Sequence, residues 1–357
     1  MIIKSFAAAW VVAAILAGVD AFWAHAVGIG IVGLSEMGDG LRAGVAIAII
    51  CGLIQYLAQQ VGFRLIAEIF RRASRFFHFL SIVLVLETGF STLSYLAIGA
   101  RMPLIDDQLY RIDSILGFDW LAWFDFVESH RWMRLSLSYL YASTLLAIGA
   151  TLVYLIVVDR IWRYHEMLWI FIITSALTIT ISGVLPAMHA PAYLRLADTR
   201  IILEHSYPYL PDLSSLREGT LFEIDLSHQQ GLVCFPSFHT VLVMIFCYAL
   251  RGTRLFWAAL ALGGLTMLSL PTSGGHYLID LPGGAAVTAA AILLVRRWSP
   301  DRAALRIDEE TRLAHRPKAA HGTIHEPLEQ KYPIDVGWSG IVGTCSRKQI
   351  NHGTPGV

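Results

Sequence analysis

Long apolar stretches alternate with short polar segments along most of the chain. A helix needs about 20 consecutive, mainly apolar residues to cross the hydrocarbon core of a bilayer. Eight stretches approach this length, and they lie near residues 6–28, 44–62, 77–100, 135–158, 167–186, 237–251, 255–271 and 278–296. The pattern predicts an all-α, polytopic transmembrane helical bundle of about eight spans.

The apolar pattern stops at Trp298, after which charged residues, proline and glycine predominate. Segments of this composition bury too little apolar surface to fold, so we expect a disordered cytoplasmic tail over residues 298–357. The remainder divides into two extra N-terminal spans (1–75) and a membrane-embedded domain with a six-helix core (76–297).

Arginine residues cluster in alternate loops between the predicted spans. Short loops rich in lysine and arginine lie on the cytoplasmic side of a membrane. In the eight-span arrangement the following all fall on one side: Arg64, Arg71, Arg72, Arg75, Arg160, Arg163, Arg251, Arg254, Arg296 and Arg297. We therefore predict that both termini are cytoplasmic.

Composition supports a membrane protein and argues against two other classes. Hydrophobic residues make up 55% of the 357 residues, and charged residues only 15%. Lys plus Arg and Asp plus Glu both number 27, so the chain lacks the basic excess of a nucleic-acid-binding protein. The cysteines, Cys51, Cys234, Cys247 and Cys345, are far apart and indicate neither a disulfide framework nor a CxxC metal pair.

Residues 104–127 alternate acidic residues with leucine, isoleucine, phenylalanine and tryptophan. This pattern is typical of helices that lie in the membrane interface, where tryptophan and tyrosine are enriched. Two hypotheses follow for the segment. It forms a lid or a lipid entrance, or it is an amphipathic connector without a direct role.

Two short segments place a histidine at the start of an apolar run. In one of them, SGGHYLID, His276 and Asp280 are four residues apart. If a helix begins near His276, both side chains lie on one face and can form a hydrogen bond. The carboxylate would then hold the proton on Nδ1 and leave Nε2 free for nucleophilic or general-base chemistry. Gly274 and Gly275 would let the backbone approach a bound anion closely.

The other segment is FPSFHT, from Phe235 to Thr240. Pro236 suits a helix start and Ser237 is a good N-cap, so the exposed N–H groups of the first turn form a ready anion site. His239 would lie beside an anion bound there and can act as a general acid. Both segments emerge on the extracytoplasmic side in the predicted topology, so they can share one site.

These segments resemble the second and third signature motifs of the type-2 phosphatidic acid phosphatase superfamily, PSGH and SRxxxxxHxxxD. PSFH matches the second motif, and Ser269, His276 and Asp280 match the third in register. The resemblance implies that His276 attacks phosphorus to give a phosphohistidine, that Asp280 orients it, and that His239 protonates the departing group. It implies a metal-independent lipid phosphatase or phosphotransferase that acts on a membrane phospholipid or lipid phosphate.

Two departures from the family pattern stand out. Leu270 replaces the arginine of the third motif, and no clear KxxxxxxRP first motif precedes the second. Because a transferring phosphoryl group stays anionic, other cations should replace the missing ones, and Arg195 and Arg200 follow span five on the correct side. The predicted phosphate-binding residues are Ser237, Ser269, Gly275, Arg195 and Arg200.

The proline-containing exit of span five and the HYxxDL string at His276 look like the inositol phosphorylceramide synthase branch of the superfamily. That branch transfers a phospho-headgroup between lipids, so the acceptor is a lipid hydroxyl or, for a phosphatase, water. The site would face the periplasm from the plasma membrane of a bacterium, or the lumen of the secretory pathway in a eukaryote.

A metal site is the main competing interpretation of the histidines. The chain has no HExxH, no EF-hand loop and no third ligand at a compelling spacing, so we expect no metal and no cofactor. A non-catalytic lipid-binding or transport protein is a second hypothesis, favoured by the missing cations and by Glu87 inside a span. For Glu87 and Asp20 themselves we expect structural or interfacial roles. A third hypothesis is a structural partner in an envelope complex that acts through the tail.

Overall fold

The computed structural model of the chain describes residues 2–194 and 207–298. Twelve helices occur in this part of the chain. In chain order they are α1 (Ile2–Val27), α2 (Leu34–Gln60), α3 (Arg64–Gly99), α4 (Asp106–Ile115), α5 (Trp120–Ser129), α6 (Arg131–Val157), α7 (Ile161–Val184), α8 (Ala190–Tyr193), α9 (Leu210–Glu218), α10 (Phe238–Ala249), α11 (Phe256–Ser273) and α12 (Asp280–Trp298).

Six of these helices are long and apolar enough to cross a membrane, namely α1, α2, α3, α6, α7 and α11. They coincide with the first five predicted spans and the seventh. The all-α, polytopic bundle predicted from the hydropathy pattern is therefore confirmed. α3 is the longest of them at 36 residues and extends well beyond the predicted 77–100.

The sixth and eighth predicted spans correspond to α10 and α12. α10 has only 12 residues, about 18 Å at 1.5 Å per residue, which is shorter than a hydrocarbon core of about 30 Å. α12 has 19 residues, and Asp280, Arg296 and Arg297 stand at its ends. Eight complete spans, cytoplasmic termini and the division at residues 75 and 298 stay predictions.

α10 is the central helix of the bundle. It packs against α6, α7, α11 and α12, and most of its residues are buried, as expected of a helix that is apolar on all sides. Gly263 of α11 permits this packing, because a Cβ there would lie 2.7 Å from Cγ1 of Val243. α1 and α2 pack on α3, which in turn contacts α7.

Arginines from several loops meet at one end of the bundle. Arg71 of α3 forms an ion pair with Asp159, and Arg251 pairs with Glu166 of α7. Arg163 donates to the carbonyl of Ala249, the last residue of α10. Arg163 and Arg251 thus lie at the C-terminal end of α10, and Ser237 and His239 lie at its N-terminal end.

α4 and α5 cover the end of the bundle where α10 begins. Leu109 of α4 and Trp120 of α5 are buried in a cluster that also contains Ala187, Cys234 and Tyr277. A two-stranded parallel sheet, which the sequence analysis does not predict, joins β1 (Gly30–Val32) to β2 (Glu223–Asp225). The loops around the histidines are therefore held by packed elements.

Candidate active site

His276 lies in the loop between α11 and α12. Its Nδ1 atom is 3.1 Å from Oδ2 of Asp280, the first residue of α12. The helix therefore begins at Asp280 and not near His276, so the contact is made from a loop across the helix start. A proton on Nδ1 satisfies this hydrogen bond and leaves a lone pair on Nε2.

The carboxylate of Asp280 is completely buried and joins several segments. Oδ2 also accepts the backbone N–H of Tyr277 at 2.9 Å and the thiol of Cys234 at 3.4 Å. Burial raises the pKa of the Cys234 thiol well above its ordinary value, so the group stays protonated and can donate. Cys234, to which the sequence analysis assigns no role, is part of the environment of His276.

Ser237 connects His276 to the N-terminus of α10. It is the N-cap of that helix, and its Oγ accepts the N–H of Thr240 at 3.3 Å. The same Oγ lies 3.3 Å from Nε2 of His276. Nε2 thus faces the positive end of the helix dipole, where an anionic group is stabilised.

His239 belongs to the first turn of α10. Its ring centroid is 6.5 Å from that of His276, and its ring stacks on Tyr141 of α6 at 4.0 Å. Both histidines line one cavity of about 260 Å³. The two histidine segments therefore share one site, in which both rings line the same cavity.

His189 is a third imidazole beside this cavity. Its ring centroid is 5.6 Å from that of His276, and its backbone φ of +73° is unusual for a residue other than glycine. Burial, together with the nearby His276, holds the pKa of His189 well below its ordinary value, so the ring is neutral. Its Nδ1 has no partner among the described residues.

The other predicted phosphate-binding residues have different surroundings. The hydroxyl of Ser269 donates to the carbonyl of Thr266 within α11. Gly275 has a φ of +69°, and a Cβ there would lie 2.8 Å from the Tyr209 hydroxyl and 3.1 Å from Pro191, so the turn requires glycine. Arg195 and Arg200 lie outside the described residues.

His189, Cys234 and His276 bring three metal-ligating atoms within 4.8 Å of one another. Because these residues lie in three separate loops, their spacing in the sequence does not indicate a third ligand. Nitrogen and sulfur ligands of this kind suit Zn²⁺. A metal bound there would require the loss of the thiol proton of Cys234.

A family model described as the PAP2 superfamily matches residues 107–294. This range covers more than half of the 357 residues. The chain belongs to the PAP2 superfamily. Membership supports an activity of the lipid phosphatase or phosphotransferase type, lipid phosphates as substrates and association with a membrane. No curated protein and no solved structure matches the chain.

In this PAP2 superfamily protein, α4 clamps the histidine loop through two carboxylates. Asp113 accepts the backbone N–H of Leu278 at 2.6 Å and that of Ile279 at 2.9 Å, just before α12 begins. Asp106 accepts the hydroxyl of Tyr277 at 2.8 Å. We call Asp106 and Asp113 the α4 clamp.

The α4 clamp also reaches the loop that carries His189. Both oxygens of Asp106 accept the N–H of Met188 at 3.0 Å. The indole N–H of Trp120 donates to the carbonyl of His276 at 3.1 Å. Burial raises the pKa of Asp106, although the hydrogen bonds from Met188 and Tyr277 oppose the shift. Side chains of the 104–127 segment thus bind the backbone of residues 276, 278 and 279 and of Met188, which favours a direct role over that of a connector.

Proposed function

We propose that the protein is a multi-pass membrane enzyme that transfers a phosphoryl group or a phospho-headgroup from a lipid phosphate ester through a phosphohistidine. The observation that carries this proposal is the position of His276. Asp280 holds Nδ1, and Nε2 faces the N-terminus of α10 inside a cavity that His239 also lines. An imidazole that a carboxylate orients beside an anion site is what nucleophilic attack on phosphorus needs.

The first half of the reaction cleaves the donor. Nε2 of His276 attacks phosphorus, the bond from phosphorus to the leaving oxygen breaks, and its electron pair stays on that oxygen. His239, which takes up a proton when the anionic donor binds beside it, donates that proton to the same oxygen as it leaves. Asp280 stabilises the positive charge that develops on the ring of His276.

The second half regenerates the enzyme. An acceptor hydroxyl attacks phosphorus while His239, now neutral, takes the proton of that hydroxyl. The N–P bond breaks and its electron pair returns to His276. The acceptor is a lipid hydroxyl, as in an inositolphosphotransferase, or water where no lipid acceptor is bound.

The phosphate itself needs positive partners. The N-terminus of α10 and the hydroxyl of Ser237 supply hydrogen-bond donors on one side. Arg195 and Arg200 remain our sequence-based candidates for the missing family cations, and Gly275 and Ser269 complete the predicted set. We place the site on the extracytoplasmic face, because the arginine-rich loops lie at the opposite end of α10.

The decisive experiment is to trap the covalent intermediate. The purified full chain is incubated with donor lipids labelled at phosphorus and quenched in base, in which phosphohistidine survives. We expect labelled wild-type protein, no label on H276A, and loss of label in the presence of vanadate, which mimics five-coordinate phosphorus. H228A is the matched control, because His228 lies at the surface and bonds Asp225 instead of lining the cavity.

The identity of the released product shows whether the acceptor is water or a lipid hydroxyl. Free phosphate or a free phospho-headgroup indicates water, and a new phospholipid indicates a lipid hydroxyl. Turnover by H276A equal to that of the wild-type protein would overturn the proposal and favour a lipid-binding or transport protein on the same bundle.

A further inference from the structure

The cavity beside His276 extends to α3, along a wall that the proposed chemistry does not use. Glu87, Phe90, Ser91 and Ser94 of α3 line it and recur at the spacing of one helical face. Seven residues separate Glu87 from Ser94, about 10 Å at 1.5 Å per residue. Glu87 therefore lies at the end of this face that is deepest in the membrane-spanning helix.

The carboxylate of Glu87 is unusual in its surroundings. It forms no hydrogen bond or ion pair with the described part of the chain, and no lysine or arginine of that part lines the cavity. A carboxylate within a membrane-spanning helix is costly, and such groups pair with a charge or mark a substrate path. Glu87 is exposed and lines the cavity, so a ligand bound there can supply the positive partner of its carboxylate.

Hydroxyl groups on α7 face the same cavity. Ser175 Oγ and Thr178 Oγ1 are completely buried and have no hydrogen-bond partner among the described residues. By contrast, Thr174 and Thr180 of the same helix donate to carbonyls of the preceding turn, which is the usual arrangement. The hydroxyl groups of Ser175 and Thr178 can therefore form hydrogen bonds with a ligand.

A row of aromatic rings links Glu87 to the histidines. Phe90 follows Glu87 on α3, and its ring centroid is 6.4 Å from that of Phe171. Phe171 is 6.3 Å from Phe238, the residue before His239. Aromatic faces attract cations, so this wall suits a positively charged group.

We propose that Glu87, with the hydroxyls of Ser175 and Thr178, binds the primary ammonium group of a phospholipid headgroup of the ethanolamine type. An ammonium group has three donors and no acceptor, which matches one carboxylate and two hydroxyl oxygens. A neutral polyol would leave the carboxylate without a counter-charge, and an anionic headgroup would be repelled by it. This inference rests on the proposed function and names its donor class.

This binding mode determines which bond to phosphorus breaks. With the headgroup in the cavity, diacylglycerol is the leaving group. Nε2 of His276 bonds to phosphorus, the bond from phosphorus to the glycerol oxygen breaks, and that oxygen takes a proton from His239. Phosphoethanolamine stays on His276 until the acceptor hydroxyl attacks it.

The test compares donors with identical acyl chains in nanodiscs: phosphatidylethanolamine, phosphatidylcholine, phosphatidylinositol, phosphatidylglycerol and phosphatidic acid. We expect the wild-type protein to release diacylglycerol from phosphatidylethanolamine at least about tenfold faster than from the other diesters. E87Q should lose about tenfold to a hundredfold in kcat/KM for phosphatidylethanolamine, because its ammonium group loses a charged partner. T178V should show a smaller loss.

Two controls distinguish a loss of headgroup recognition in E87Q from a general loss of catalysis or of folding. Phosphatidic acid has no headgroup, so E87Q should cleave it like the wild-type protein. E36Q removes the same charge from an exposed position of α2 that does not line the cavity, and should cleave every donor like the wild-type protein. Equal loss on phosphatidylethanolamine and phosphatidic acid in E87Q would overturn the inference.

Binding gives a readout that does not depend on turnover. By calorimetry, we expect wild-type protein to bind glycerophosphoethanolamine more tightly than glycerophosphoinositol or glycerophosphocholine, and E87Q to lose this preference. A preference for the inositol or choline compound, or an equal preference in E87Q, would overturn the inference. Either of these two contradicting results would leave the proposed function intact. The proposed function fails instead if H276A turns over lipid like the wild-type protein.

Discussion

At the scale of single residues, the centre of the candidate site is a local feature of the sequence. His276 and Asp280 are four residues apart, and Ser237 and His239 belong to one helix start, so short-range patterns predict their pairing. His189 and Cys234 carry no such signal. They reach His276 through loops whose paths depend on the packed bundle, and nothing in their spacing indicates this.

Gly275 provides a prediction at this scale. G275A places a Cβ 2.8 Å from the Tyr209 hydroxyl at a φ of +69°, so the turn that presents His276 must shift. We expect an activity loss of about tenfold or more and a lower melting temperature, measured by turnover and thermal unfolding in the same detergent. G149A is the matched control, because a Cβ at Gly149 of α6 meets nothing within 4 Å and Gly149 does not line the cavity. Equal activities of both variants would contradict this account of the turn.

The trio of His189, Cys234 and His276 gives a second prediction. The proposed route uses His276 as a nucleophile, and a metal held by the same residue would compete with it. Dialysis of the purified protein against EDTA should therefore leave turnover unchanged within about twofold. Loss of turnover that Zn²⁺ restores would instead assign these three residues to a catalytic metal.

At the scale of helices, the hydropathy pattern predicts most of the bundle, because each long helix must be apolar over its own length. The pattern does not predict the α4 clamp. Asp113 and the N–H of Leu278 are 165 residues apart in sequence, and Asp106 and Tyr277 are 171 apart. The only local signal was that Asp106 and Asp113, seven residues apart, lie on the same face of a helix.

The α4 clamp is testable by removing one charge. D113N should weaken the acceptor for the N–H groups of Leu278 and Ile279 and lower kcat about tenfold, with little change in binding of the donor. D107N is the matched control on the same helix, since Asp107 is exposed and bonds Arg111 and the hydroxyl of Tyr193 instead of the loop that carries His276. Unchanged kcat in D113N, or the same loss in both variants, would show that the α4 clamp does not position His276.

At the scale of the whole molecule, the family match begins within α4, so α3 lies outside it although α3 supplies one wall of the cavity. Family motifs can therefore indicate the chemistry but not the part of the cavity that Glu87 lines. The sequence predicts a structural or interfacial role for Glu87, because a residue outside every motif gives no sign of what it faces.

Membrane orientation gives a prediction at this scale. In a C345S background, a cysteine at Phe222, near the histidine end, should react with an impermeant thiol reagent in intact cells. A cysteine at Leu255, near the arginine end, should react only after permeabilisation. Cys51, Cys234 and Cys247 are buried and should contribute little background. The reverse pattern would place the candidate site on the cytoplasmic face.

The cover formed by α4 and α5 has a practical consequence. Trp120 holds the carbonyl of His276, and α5 also presents exposed Leu121 and Phe126, which suit contact with the boundary between headgroups and acyl chains. Changes in lateral pressure or headgroup packing at that boundary are therefore expected to shift α5 and, through Trp120, the loop that carries His276. A preparation stripped of lipid would keep its helices while its turnover declines, and added bilayer lipid would restore the rate.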